Sequence, residues 1–345
     1  MSISAQGRVE GTVADRPLDR NLALELVRAT EAAALAAGRW LGRGDKEAVD
    51  QAAVDAMRLV LQTVDMDGIV VIGEGEKDEA PMLFIGERIG NGNPPLVDVA
   101  VDPVDGTTLT ANGLGGAISV VALAERDSLL FTHVPYMDKL VVGPNASGTV
   151  DLDAPVADNV HAVARAYERE VQDITVVVLN RPRNERLIQE VRKVGARIRL
   201  IGDGDVAAGL MALMEEHTGI DMLMGIGGAP EGVISACTVR CLGGDMQARL
   251  WPRDDSDRRI AADEGRDIGR LLTLDDLCAG RNVFVAATGV SDGELLNGVR
   301  YTSHGATTDS ISMRSASGTV RRIGAKHDLS RLKHLAGERY SRMAE

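Results

Sequence analysis

The sequence predicts an α/β fold, with an α+β N-terminal half and an α/β C-terminal half. Three observations carry this reading. Long Ala/Leu-rich helical segments come first, ahead of any strand. The strand candidates are short Val/Ile runs closed by Gly, Pro or Asp. Past residue 155 helical and strand patterns alternate, as in βαβ units of a partly parallel sheet. A chain of 345 residues exceeds one ordinary core, so two domains are expected, 1–155 and 156–345.

Residues 1–18 read as a polar lead. Asp19 reads as the N-cap of a helix that reaches about Leu41, where Gly42-Arg43-Gly44 breaks it. A second helix runs from about Lys46 to Val64, with Ala53, Ala56, Met57, Val60 and Leu61 on one face. Gly68–Ile72 is a buried strand. Leu96–Val101 is another, ended by Asp102-Pro103. Strands are also expected at Ala117–Ala124, Leu129–His133 and Lys139–Val142. A helix at Val156–Arg169 leads to a strand at Ile174–Leu179. The alternation continues through Glu185–Val194, Arg197–Ile201, Asp205–Glu216, Asp221–Met224, Glu231–Cys241 and Gln247–Leu250. Strands return from Asn282, and a charged helical tail follows Asp328.

Composition excludes several classes. Hydrophobic residues are 44% and charged residues 26%, ordinary for a globular protein and unlike a disordered one. A net charge of −13 with 3% aromatics argues against nucleic acid, which needs clustered cations and stacking rings. The longest apolar stretch, Val206–Met214, is far short of a membrane span, and no signal peptide is visible. Three cysteines are too few for a disulfide framework and point to a reducing, cytoplasmic compartment. Cys237 and Cys241 read as small core residues. An acidic protein acting on an anionic substrate needs cations to offset its own field.

Four acidic or glycine-rich loops stand at strand ends. Asp102-Pro103-Val104-Asp105-Gly106-Thr107 places two carboxylates where a Pro and a Gly turn the chain back, fit for a hard cation or for a simple Asp-Pro turn. Gly73-Glu74-Gly75-Glu76-Lys77-Asp78-Glu79 follows a buried strand, where α/β sites are built. Gly225-Ile226-Gly227-Gly228-Ala229-Pro230-Glu231-Gly232 opens a helix. Pro230 occupies the third glycine of a dinucleotide fingerprint, which rejects that motif, and Glu231 reads as a dipole partner or a third-loop metal ligand. In Gly202-Asp203-Gly204-Asp205, Asp205 reads as an N-cap, with sugar hydroxyls as the functional alternative. Arg181-Pro182-Arg183 sets two cations beside a strand end, either solvated or holding a phosphate. No zinc, P-loop or nucleophile-elbow motif is present, which leaves carboxylate-bound metals and water as the chemistry.

Taken in order, these blocks resemble the class II (GlpX-type) fructose-1,6-bisphosphatases, of the lithium-sensitive, metal-dependent sugar-phosphatase superfamily. The resemblance spans about Asn21 to His327 and includes Trp40–Lys46, Val71–Met82 and Tyr136-Met137. It implies a layered α/β/α/β/α sandwich. It implies metal ligands at Asp50, Glu74, Asp102, Asp105 and Glu231, holding two or more Mn²⁺ or Mg²⁺ ions. It implies a catalytic Thr107 that orients the attacking water and, with Asp50, removes its proton. The implied substrate-binding set is Asp105, Gly106, Thr107, Tyr136, Arg181, Pro182, Arg183, Asp203, Gly204, Asp205 and Gly228. Asp105 stands where many relatives have Glu, and Arg181 where some have Lys.

The activity implied is removal of the 1-phosphate of fructose 1,6-bisphosphate, for gluconeogenesis, in a cytoplasmic homo-oligomer (dimer or tetramer). Sedoheptulose 1,7-bisphosphate hydrolysis, alone or as a second activity, is the nearest alternative. Inositol phosphate hydrolysis ranks lower, because that substrate offers nothing to Arg181 and Arg183. A catalytically silent sugar-phosphate-binding protein is the alternative of a different class.

Overall fold

The computed structural model describes residues 22–75 and 82–336. The polar lead, the expected cap at Asp19 and the Glu76–Glu79 part of the acidic loop lie outside these residues. In chain order, helices α1 (Leu22–Ala37) and α2 (Lys46–Leu61) precede β1 (Asp67–Ile72), β2 (Arg88–Ile89) and β3 (Leu96–Asp105). Then come α3 (Thr107–Ala111), β4 (Ile118–Glu125), β5 (Tyr136–Val142) and α4 (Val156–Ala166). The alternating part is β6 (Thr175–Leu179), α5 (Glu185–Val194), β7 (Arg197–Ile201), α6 (Asp205–Leu213), α7 (Glu215–Thr218), β8 (Met222–Gly228), α8 (Ala229–Leu242) and β9 (Asp245–Leu250). The remainder is α9 (Asp255–Asp263), β10 (Leu272–Thr273), α10 (Leu274–Leu277), β11 (Phe284–Gly289), β12 (Arg300–Thr302), β13 (Gly305–Arg314), β14 (Thr319–His327) and α11 (Leu329–Ala336).

Two mixed sheets result. One is eight-stranded, ordered β12-β13-β11-β4-β3-β1-β2 with β14 on β13; the other is six-stranded, ordered β10-β9-β5-β8-β6-β7. The alternating segment supplies the parallel pairs β6–β7 and β6–β8, as its βαβ pattern predicts. Strand β5 already belongs to the second sheet, and β11 to β14 return to the first.

Alternation within strands explains the layering. On β4, Val121 and Leu123 face α1 and α2, while Val120, Ala122 and Ala124 face α6 and α8. On the second sheet, Met137, Val141 and Val177 join that same middle core, while Leu140, Val176 and Val178 pack on α4 and α5. The order is helices, sheet, helices, sheet, helices, the five-layer sandwich expected. Aromatic scarcity is met by Val, Leu, Ile, Met and Ala packing; Phe284 is the one ring among the largest fully buried side chains.

Three expectations need correction. Leu129–His133 is not a strand; Leu129 makes an isolated bridge to Cys278. Both edges of β4 are already taken, by β3 and β11, so no hairpin partner is left for it. Strand β3 does not end at Asp102-Pro103 but continues to Asp105. Asp102 pairs with Val120 and Asp105 with Ile118, so β3 spends one extra residue against β4. That bulge accommodates Pro103, which has no N–H for a ladder. Asp205 is not an N-cap: Gly204, in a left-handed conformation at φ 82°, precedes α6, and Asp205 is its first residue. Cys237 and Cys241 are buried, as expected, and Cys237 Sγ lies 3.9 Å from Cys278 Sγ.

Candidate active site

Helix α2, the ends of β1 and β3 and the start of α8 bring the acidic residues near enough to act on one another. Asp50 lies near the start of α2, whose N-cap, Asp45, accepts from Ala48 N at 3.0 Å. Burial of Val49, Ala53 and Met57 fixes the roll of this helix on the first sheet. Glu74 follows β1 and is tied by its N–H to the Leu83 carbonyl at 3.0 Å. Asp102 and Asp105 flank the bulge; Asp102 Oδ1 accepts from Val104 N at 3.1 Å. Asp105, buried, accepts at 2.8 Å from Ala207 N, one of the free donors at the start of α6. Glu231 lies in the first turn of α8.

These carboxylates act on one another. Burial, then the charges of Asp105, Glu74, Glu231 and Asp50, raises Asp102 well above the usual carboxylate range. Burial and the Asp205 charge raise Asp105, against the pull of its Ala207 hydrogen bond. Glu231 is pushed up to about 7, by burial first and Asp205 second, with Lys139 opposing. Partial withdrawal from water, with the charges of Asp50 and Glu231, brings Glu74 to about 7, although it remains accessible at the rim. A concentration of negative charge this dense calls for cations.

The donor set fits hard divalent ions. It is all carboxylate oxygen, and Glu231 Oε2 is buried with no hydrogen-bond partner among the described residues. Among the described residues, no three of these side chains stand close enough to share one ion as placed.

Thr107 is the first residue of α3. Gly106 ahead of it is left-handed at φ 102°, which turns the chain from strand to helix within one residue. Thr107 Oγ1 donates to Asp50 Oδ1 at 2.7 Å and also lies 3.1 Å from the Val104 carbonyl. Asp203 Oδ2 accepts from Thr108 N at 3.2 Å, and its Oδ1 lies 3.7 Å from Arg181.

A second group lies on the adjoining sheet. Tyr136 pairs with Gly228 in the β5–β8 register, beside the helix that carries Glu231. The Arg183 guanidinium stacks 4.4 Å from the Tyr136 ring centre, and its Nε donates to the Ile226 carbonyl at 3.1 Å. Trp251 packs edge-on to Tyr136 at 6.3 Å. Pro182 is exposed and opens the turn between Arg181 and Arg183.

Asp205 neighbours Asp105 and Glu231, whose carboxyls its charge raises. It is buried, and its Oδ2 accepts from Lys139 Nζ at 2.5 Å. Lys139 Nζ also donates to the Gly228 carbonyl at 2.9 Å. Sequence reading missed Lys139, although a lone Lys in the apolar run of β5 was a visible signal. It also had no means to single out Asp50 by spacing, or Arg253, which follows Trp251 and lies 5.6 Å from the Tyr136 ring centre.

Mutually acting carboxylates, a hydroxyl held on one of them and guanidinium groups alongside are the equipment of a metal-dependent phosphate-ester hydrolase. Residues 20–327 match the family described as "Bacterial fructose-1,6-bisphosphatase, glpX-encoded", and the chain belongs to that family. It is 46% identical over 325 residues to the Fructose-1,6-bisphosphatase 1 class 2 of Escherichia coli (strain K12), a match covering 90% of this chain and 96% of that protein. The Fructose-1,6-bisphosphatase class 2 of Shigella flexneri matches with the same identity and coverage. The family is metal-dependent.

Proposed function

We propose that this chain hydrolyses fructose 1,6-bisphosphate at its 1-phosphate, giving fructose 6-phosphate and inorganic phosphate for gluconeogenesis. The observation that carries the mechanism is the Thr107 hydroxyl, 2.7 Å from Asp50 at the edge of the carboxylate cluster. Asp50, Glu74, Asp102, Asp105 and Glu231 would hold divalent cations, Mg²⁺ or Mn²⁺, which would supply charge neutralisation and lower the pKa of water. Thr107 Oγ1 orients the attacking water and accepts its proton while passing its own to Asp50. The water oxygen bonds to phosphorus, the bond from phosphorus to the sugar O1 breaks, O1 takes a proton from solvent, and Asp50 returns its own to solvent. No covalent phosphoenzyme forms. Arg181, Arg183 and Tyr136 hold the remote phosphate, so its binding energy positions the reacting one.

The buried, free state of all three cysteines supports a reducing cytoplasmic location. Among the described residues no helix is long and apolar enough to cross a membrane. A homo-oligomer is proposed on general grounds of enzyme symmetry.

The test is phosphate release from fructose 1,6-bisphosphate, sedoheptulose 1,7-bisphosphate and inositol 1-phosphate, with Mg²⁺, Mn²⁺ or chelator. Thr107→Ala is expected to lose about 10²–10⁴-fold in kcat while keeping its fold by circular dichroism. Near-wild-type turnover would remove Thr107 from the mechanism. Comparable release from the seven-carbon sugar would make the enzyme bifunctional. No release from any ester would leave a sugar-phosphate-binding protein.

A further inference from the structure

We propose that Arg253 is a further specificity-determining residue, reaching the remote phosphate of the substrate from the connection between β9 and α9. The inference rests on the bisphosphatase reading, in which Tyr136 and Arg183 hold that phosphate. Two guanidinium groups converge on the Tyr136 ring, that of Arg183 at 4.4 Å and that of Arg253 at 5.6 Å from its centre. They come from separate parts of the second sheet, one after β6 and one after β9. Trp251, two residues before Arg253, packs on the edge of the same ring, and its N–H donates to the Tyr136 carbonyl at 2.9 Å. The connection bearing Arg253 is therefore tied to Tyr136 by both backbone and ring.

Arg253 is also locked in place. Asp257, whose side chain is only 2% exposed, accepts from Arg253 Nε at 2.8 Å, from Nη2 at 3.0 Å and from its backbone N at 2.9 Å. That fork fixes the plane of the guanidinium and leaves Nη1 with no protein partner among the described residues. An arginine held on one side by a carboxylate loses little freedom when its other side meets a phosphate oxygen. Asp257 cancels its net charge, so Arg253 contributes directed donors. Arg183 makes no ion pair among the described residues and contributes the net positive charge. A planar fork matches two phosphate oxygens where an ammonium meets one.

The test compares the wild type with Arg253→Ala and Arg253→Lys, full-length and with Mg²⁺. The first readout is the preference, in kcat/KM, for fructose 1,6-bisphosphate over fructose 1-phosphate, which lacks the remote group. The second is calorimetric titration with fructose 6-phosphate. In Arg253→Ala the preference is expected to fall about tenfold, through KM, and fructose 6-phosphate to bind about tenfold more weakly. Arg253→Lys is expected to recover only part of either. An unchanged preference, or an unchanged fructose 6-phosphate affinity, overturns the assignment. The titration reads binding without turnover. A wild type that hydrolyses neither ester, yet binds fructose 6-phosphate through Arg253, would end the bisphosphatase reading and overturn the specificity role, keeping Arg253 only as a phosphate-binding residue.

Discussion

Lys139 shows what a single residue does beneath this site. Its side chain is 1% exposed and contacts Asp205 and the Gly228 carbonyl, and its charge opposes the rise of the Glu231 carboxyl. A buried ion pair is weak evidence of net stability, but removing one partner strands the other. Lys139→Met is expected to destabilise the fold by about 3–5 kcal/mol in urea unfolding; a loss below about 1 kcal/mol would mean that Asp205 finds water or another donor. Asp257 makes a pH-dependent case. The hydrogen bonds from Arg253 hold its carboxyl below the ordinary range. A folded value below the unfolded one, about 3.9, stabilises the protein above that pH and loses the benefit as pH falls through the folded value. The stability gap between wild type and Asp257→Asn should therefore be wide at pH 6 and shrink toward pH 3. A gap independent of pH would show that the side chain's packing, not its charge, matters. Of these residues the strand-end loops made Glu74, Asp102 and Asp105 visible in sequence. Asp50 was hidden because one carboxylate on a helix with several others carries no local mark.

At the scale of elements, the junction of β8 with α8 is the most demanding. Gly228 has φ −64° and ψ 143°, a backbone any residue adopts, so its glycine is not there for the turn. A Cβ at that position would come to 1.8 Å from Glu231 Oε2. Gly228→Ala should thus fold normally, displace the Glu231 carboxylate and weaken metal binding by calorimetry together with turnover. Wild-type metal affinity in that variant would show that Glu231 sits elsewhere when an ion is bound. The bulge in β3 works in the same way: one extra residue between Asp102 and Asp105 alters which side chains the strand end presents. Periodicity placed the strand but had no signal for the bulge, because Pro103 reads equally well as a stop. The Leu129–His133 run failed for the complementary reason. Its apolar pattern was genuine, and the edge it needed was occupied.

For the whole molecule, the chain's net charge of −13 and its carboxylate cluster make it dependent on what it binds. Mg²⁺ or Mn²⁺ should raise the thermal midpoint, by about 2.7 kcal/mol of stability at a hundredfold excess over Kd. Chelator should reverse the rise, and Asp102→Asn should abolish most of it; a midpoint indifferent to metal would remove the cluster's role as a cation site. By itself the sequence determined the fold class, most helices and strands, and the loops that carry the acidic residues. These follow from hydrophobic period and turn chemistry, which are local. Only the tertiary structure decided that β5 joins the second sheet, that β11 to β14 return to the first, that Asp50 meets Thr107, that Lys139 pairs with Asp205 and that Arg253 lies against Tyr136. Those outcomes depend on which strand edges remain open and which helix faces are buried, and both are settled by contacts between residues far apart in the chain.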